Sequence, residues 1–314
     1  MTPTEYEEFL KHSEDQLYLT RYPDVAAAVS KGIYKTGREH YEAYGKAENR
    51  YWSSLFLHQR KTPLAGKKHG IFITTHVAQT ARTTLTQRLT ETLRTLRATN
   101  YPGDIWVIDD GSTHPDQLRN LDALPPNIKV VRHLKRGGIS RAKNTSINLF
   151  RENNYDFGFL SDDDNHFSFG WWEAYINAYE QTGIQHMCWT FPQFAKERLN
   201  TLGYPETHKM LCKTTDLAGI LLTITPEIIE KVGGFKVLPS PWGYEHIDYT
   251  QRIVKAGIIP FTTDLFESSR YVKPNIFANY STSPVEEHIL GFHQNTLAAS
   301  RVDKIYIQPE GGSL

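Results

Sequence analysis

The sequence predicts an α/β protein, with a mostly parallel sheet flanked by helices and a small helical domain ahead of it. Three observations carry this expectation. From Ile71 onward, short apolar runs of strand length alternate with longer amphipathic stretches, the pattern of parallel strands joined by crossover helices. Two of those runs end in aspartate clusters, and open α/β sheets hold ligands outside the carboxyl ends of their strands. Residues 1–60 differ in texture, with aromatic and aliphatic residues at loosely helical intervals among charges.

The elements follow in order. The chain starts polar and acidic, with no basic stretch leading into an apolar one, so no secretory leader is expected. Pro23 opens an alanine-rich helix, where its fixed φ and missing N–H suit the first turn. Residues 61–70 gather Lys, Gly and Pro, which resist both helix and strand, and read as a linker. A domain over 71–270 then contains strands over 71–75, 105–108, 128–131 and 157–160, with helices over 84–98, 116–123 and 140–153. Pro274, Pro284 and clusters of Ser, Thr and Asn predict a loop-like lid or tail over 271–314.

Composition narrows the classes of function. A chain of 314 residues suits one large core plus an appendage. Its 35 basic and 35 acidic residues cancel, so no global field draws it to nucleic acid or an anionic membrane. Local basic stretches near 60–68, 129–143 and 196–213 keep a nucleic-acid acceptor open without favouring it. Cys188 and Cys212 stand in no metal-ligand spacing, which fits a reducing compartment. No run approaches the roughly 18–20 apolar residues of a membrane span, and a cytoplasmic location is the expectation.

Four constellations carry chemistry. Asp162, Asp163 and Asp164 follow an apolar strand, and adjacent carboxylates repel one another unless a cation or hydrogen-bond donors compensate them. Mn²⁺ or Mg²⁺ suits such oxygen ligands; Asp162 and Asp164 are the better metal-binding pair, with Asp163 able to replace either. Asp109, Asp110, Gly111 and Ser112 end a second strand, where a carboxylate can accept from a nucleobase or ribose. Gly137 and Gly138 open a helix bearing Arg141, Lys143 and Asn144, a helix start suited to a diphosphate. Finally, Gly233, Gly234 and Phe235 precede Trp242, Glu245, His246 and Asp248, with Arg252 one turn on. A carboxylate or imidazole there can take a proton from an acceptor hydroxyl, and an Asp248–Arg252 ion pair is the structural alternative.

In this order the four constellations resemble the family 2 glycosyltransferases and their GT-A relatives over about residues 70–260. The resemblance implies a nucleotide-sugar donor, UDP-linked, and a hexose passed to a hydroxyl acceptor by single displacement with inversion. It places Asp109 and Asp110 at the nucleoside, Arg141 and Asn144 near the ribose or diphosphate, and Asp162 at the ribose or metal. Asp163 and Trp242 join the donor site, and Asp164 binds the metal, with His288 or His293 completing its shell. Trp171, Trp172 and Trp242 are expected to shape the sugar pocket. Many relatives carry Glu-Asp where this chain has Glu245 and His246, so the proton acceptor stays open among Glu245, His246 and Asp248. Residues 18–50 resemble a helical module that accompanies some bacterial glycosyltransferases and cell-envelope proteins.

Three further readings compete: glycosyl transfer to a modified nucleic-acid base, a nucleotidyltransferase, and a non-catalytic sugar-binding module. The nucleotidyltransferase would need a glycine and lysine phosphate grip after the first strand, and Thr74, Thr75, His76 and Val77 supply none.

Overall fold

The computed structural model describes residues 15, 18–19, 22–48, 50, 66–191, 194–214, 218–239 and 243–274. By internal contacts the chain divides into two compact units, Met1–Thr62 and Pro63–Leu314. The first contains helix α1 (Pro23–Ser30) and the short α2 (Gly37–His40), which runs into a wide turn over Tyr41–Gly45. Pro23 occupies the first helical turn, as its geometry favours. Tyr18 and Val25 are fully buried beneath Leu19, Tyr22, Val29 and Tyr41, and Tyr18 bonds the buried His40 ring through its hydroxyl at 3.0 Å. Arg50 pairs with Asp24 at 2.7 Å and lies over the Tyr22 ring.

The second unit is built on a five-stranded sheet of order β3-β2-β1-β4-β8. Its parallel strands are β1 (His69–Thr75), β2 (Asp104–Asp109), β3 (Ile128–Arg132) and β4 (Phe157–Asp162). The edge strand β8 (Leu221–Ile224) runs antiparallel to β4. Crossovers are made by α3 (Gln87–Ala98, after a 3₁₀ turn at Thr83–Thr86), α4 (Pro115–Asp122) and α5 (Ile139–Glu152). Each strand and helix expected from the pattern therefore forms within a few residues of its expected bounds. Ile71, Phe72, Ile73, Val107, Ile108, Phe157, Phe159 and Leu160 are fully buried, because a parallel sheet covered on both faces leaves no strand face to water.

Around this sheet lie β5 (Asn165–Phe167), α6 (Trp171–Thr182), and β6 (Ala195–Arg198) with β7 (Leu211–Thr214). The chain continues through α7 (Pro226–Val232), α8 (Glu245–Lys255), β9 (Thr263–Leu265), the short α9 (Ser268–Tyr271) and β10 (Val272–Pro274). A small antiparallel sheet has order β6-β7-β9, and β10 pairs with β5. The stretch after Tyr271 thus begins as a strand rather than the expected loop: Val272 stands opposite Phe167, and its terminal proline suits a strand end that needs no further N–H.

Strand order sets the position of the ligand crevice. β2 and β4 flank β1, with Asp109 opposite Thr75 and Asp162 opposite Thr74. The chain proceeds from β1 to β2 and β3 on one side and returns to place β4 on the other, which opens a cleft at the shared carboxyl ends. Two tryptophans expected at the sugar pocket stand elsewhere. Trp171 is wholly buried against Phe167 at 4.6 Å and Phe159 at 4.7 Å, donating through its indole to Thr99 Oγ1. Trp172 stacks on His69, which opens β1 and so lies at the opposite end of the sheet from the cleft. The aromatic surplus serves the core, where large flat rings bury the most area.

Candidate active site

The acidic turn after β4 is divided by its own alternation. Asp163 turns under the sheet: Thr75 Oγ1 donates to its carboxylate at 2.5 Å, Arg88 approaches at 3.4 Å, and Thr92 on α3 donates to its carbonyl at 2.7 Å. Asp162 and Asp164 take the other direction. Both present a buried oxygen, Oδ1, with no hydrogen-bond partner, although Lys143 Nζ stands 3.6 Å from that of Asp162. Burial, followed by the charges of Asp163 and Asp162, pushes the Asp164 carboxyl up to about 7. Burial also raises Asp162, with Glu245 and Asp163 adding to it against Lys143. Orphaned, crowded carboxylate oxygens are costly in an interior, and they match the oxygen donors that Mn²⁺ or Mg²⁺ accepts. Among the described residues no three metal-binding groups converge; His288 and His293 lie outside those residues, as does Trp242.

The second acidic strand end organises the loops around the cleft. Asp109 Oδ1 accepts from both the backbone N–H and the hydroxyl of Ser112, a local turn that exposes neither group; burial raises its pKa. Asp110 reaches across to the glycine loop, accepting from the N–H of Gly137 at 2.8 Å and of Gly138 at 2.7 Å, and from His133 Nδ1 at 2.9 Å. Gly111 sits at φ +68°, where an added Cβ would lie 2.5 Å from the Lys135 carbonyl carbon, so only glycine lets the two loops meet. Asp110 thereby clamps the glycine loop to the end of β2.

Helix α5 sorts its polar residues by face. Arg141 is exposed at its first turn. Asn144 closes a reciprocal pair with Phe235, donating to its carbonyl at 2.8 Å and accepting from its N–H at 2.7 Å. Lys143, two residues from Arg141 and roughly 200° round the helix, is completely buried. Its ammonium bonds Gly219 O at 3.2 Å and Glu245 Oε1 at 3.2 Å, near Asp162. Burial works against that charge, but Asp162 and Glu245 together raise the lysine pKa. The sequence pattern groups this lysine with Arg141 at a helix start suited to a diphosphate, and its pairing with Glu245 and Asp162 is not part of that expectation. The available signal was its place on the buried stripe with Ser146, Ile147 and Phe150, where a lysine needs a buried partner.

Helix α8 supplies the remaining groups. Its N-cap, Tyr244, has φ +70°, an uncommon conformation for a residue with a Cβ, and it delivers Glu245 into the cleft wall at 5% exposure. Glu245 Oε1 meets Lys143 and, at 3.3 Å, His246 Nδ1; Oε2 is buried without a partner. Although burial opposes ionisation, Lys143 and then His246 hold the carboxyl well below the ordinary range. The His246 ring packs against Gly219, where a Cβ would fall 2.7 Å from Nδ1. Asp248 is engaged otherwise: Arg252 Nε donates to it at 2.9 Å, while the same guanidinium bonds Val232 O and Gly234 O. The cleft thus gathers Asp162, Asp164, Lys143 and Glu245, while Asp110, Asn144 and Asp248 brace the loops around it.

A mostly parallel sheet flanked by helices, with acidic groups at the ends of the two strands on either side of β1, defines a GT-A-type α/β domain. The chain belongs to glycosyl transferase family 2, whose profile matches residues 71–244. It is 33% identical over 206 residues to an uncharacterised glycosyltransferase, R363, of Acanthamoeba polyphaga mimivirus, a match covering 66% of this chain and 80% of that one. Among solved structures it is similar to the Pyrobaculum calidifontis mannosyltransferase PcManGT in complex with GDP-Man and Mn²⁺, at TM-score 0.43 and 20% identity. It is also similar to GalNAc-T7 with UDP, GalNAc and Mn²⁺, at TM-score 0.44 and 16% identity. These matches cover 60% and 59% of this chain, and the chain spans 52% and 41% of the two solved proteins. No described helix is long and apolar enough to cross a membrane.

Proposed function

We propose that this glycosyltransferase moves a hexose from a nucleoside-diphosphate sugar, UDP-linked, to a hydroxyl acceptor, by a single displacement that inverts the anomeric centre. The observation that supports it most is the set of three buried, unpartnered carboxylate oxygens, on Asp162, Asp164 and Glu245. Asp162 and Asp164 would hold Mn²⁺ or Mg²⁺ with the donor diphosphate. When bound, the ion neutralises the charge that builds on the departing diphosphate. Glu245, kept ionised, takes the proton of the attacking hydroxyl through Oε2. Its ionised state at neutral pH and its free oxygen favour it over Asp248, whose carboxylate is spent on Arg252. His246, bonded to the same carboxylate, stays beside the base as its partner.

A nucleotidyltransferase does not fit the family. The acceptor is a glycan or glycoconjugate hydroxyl on this reading; a modified nucleic-acid base fits the neutral overall charge less well. The test is a thermal-shift panel of UDP- and GDP-sugars with and without Mn²⁺, followed by release of nucleoside diphosphate. A ligand that binds only the folded state raises the melting temperature with its concentration. Metal-dependent shifts by UDP-sugars with diphosphate release support the proposal; binding without release would make the chain a sugar-binding module. Asp164→Asn should abolish the Mn²⁺-dependent part of both readouts with the fold intact, and retained turnover would overturn the metal assignment.

A further inference from the structure

Lys143 joins the two halves of the site, and its surroundings are unusual for an ion pair that serves stability alone. The ammonium is fully buried; it donates to Gly219 O and Glu245 Oε1 and stands 3.6 Å from Asp162 Oδ1. Two carboxylates therefore share one cation in an interior, an arrangement that leaves negative charge uncompensated and that apolar side chains would replace at no loss of stability. The lysine is also held from three sides. Asn144, on the next residue of α5, locks Phe235, whose ring lies 5.7 Å from the ammonium. Arg252 ties the 232–234 turn to α8, and Gly219 offers its carbonyl to Lys143 while its Cα face carries His246.

The consequence falls on Glu245. A carboxylate on a helix's first turn has two interchangeable oxygens unless something distinguishes them. Here Lys143 and His246 both engage Oε1, and Oε2 alone is left unpartnered. We propose that Lys143 is a positioning residue for the transfer reaction: by fixing Glu245 Oε1 beside Asp162, it presents Oε2 to the acceptor hydroxyl and ties the proton acceptor to the donor-side carboxylate. This rests on the reading of Glu245 as the base, and it assigns Lys143 no direct contact with the nucleotide.

The experiment compares the full chain with Lys143→Met and Lys143→Arg in transfer kinetics, in calorimetric affinity for UDP with Mn²⁺, and in thermal melting. In Lys143→Met, kcat falls about 100-fold, the scale of a misplaced general base, while nucleotide affinity stays within about threefold. Lys143→Arg keeps the charge on a different geometry and falls between the two. Adding Glu245→Gln to Lys143→Met raises the melting temperature, because it removes the carboxylate left without its cation. Transfer by Lys143→Met within about threefold of the parent, or nucleotide affinity falling in step with kcat, overturns the proposal. Should Lys143→Met fail to fold, Lys143→Arg decides by the same split between kcat and affinity. If the parent chain itself releases no diphosphate from any donor, the transferase reading fails on its own. The melting comparison still judges the Lys143–Glu245 contact in that case, with no recovery in the double variant counting against it.

Discussion

Replacing Asp110 separates two roles that the sequence could not distinguish, a ligand of the nucleoside and a clamp on the glycine loop. Its carboxylate accepts from Gly137 N–H, Gly138 N–H and His133 Nδ1 at 2.7–2.9 Å, with the side chain 5% exposed. Hydrogen bonds to a charged acceptor contribute about 1.5–3 kcal/mol each. Gly137 and His133 are only half-buried and regain water when the acceptor is lost, so Asp110→Ala should cost about 3 kcal/mol rather than the full sum. Asp110→Asn should cost nearly as much, since the two glycine N–H groups bond different oxygens and an amide offers only one. Urea denaturation gives the stability, and hydrogen exchange of the 133–138 segment should accelerate in both variants. A loss below about 0.5 kcal/mol, the ordinary range for a surface change, would refute the clamp. Nucleotide affinity lost at unchanged stability would restore Asp110 to the nucleoside.

Two further outcomes follow from buried groups beside the site. Asp248 and Arg252 are each 5% exposed in their side chains, so Asp248→Ala should lose about 3–5 kcal/mol, the cost of stranding a buried charge. The variant's folded fraction, quantified by urea titration, should keep its kcat to within about threefold; a larger loss would return Asp248 to the reaction. Burial holds His186 down to about 4, as a neutral ring that donates from Nδ1 to Thr223 O and accepts at Nε2 from Thr250. Because the unfolded chain takes this proton first, the His186 contribution is full above about pH 6.5 and is lost as pH falls, by roughly 1.4 kcal/mol per unit down to about pH 4. The difference in unfolding free energy between the parent and His186→Gln, taken at pH 7 and pH 5, should show this slope. Equal slopes in the two proteins would refute it.

The alternation of apolar runs and amphipathic stretches was enough to place β1 to β4 and α3 to α5, because strand and helix periods are local properties of the chain. The acidic ends of β2 and β4 were equally legible, since a strand's last residues are identified by where its apolar run stops. Roles within the acidic runs were less so. Asp109 and Asp110 look alike in sequence, yet one closes a turn on Ser112 and the other crosses to Gly137 and Gly138. Arg141 carried the more familiar chemistry, and Lys143 two residues later faces the cleft, because a helix turns them to opposite sides. Trp171 and Trp172 were misplaced for the same reason: aromatic side chains suit a sugar and a core equally, and composition does not say which surface they meet.

By itself the sequence determined the α/β class, the strand and helix order of residues 69–162, and the two aspartate clusters that had to end strands. It also carried the family likeness, since motifs in a fixed order survive without knowledge of contacts. The tertiary structure decided which of those aspartates are spare. Pairing β1 between β2 and β4 brings the two clusters to one cleft, Thr75 and Arg88 take up Asp163, and the glycine loop takes up Asp110. What remains is the spare oxygen of Asp164 and, beside it in sequence, Asp162, which shares one buried ammonium with Glu245, 102 residues along the chain from that lysine. Local periodicity cannot report such a convergence, because the charge balance of a cleft depends on which distant groups share its low-dielectric interior.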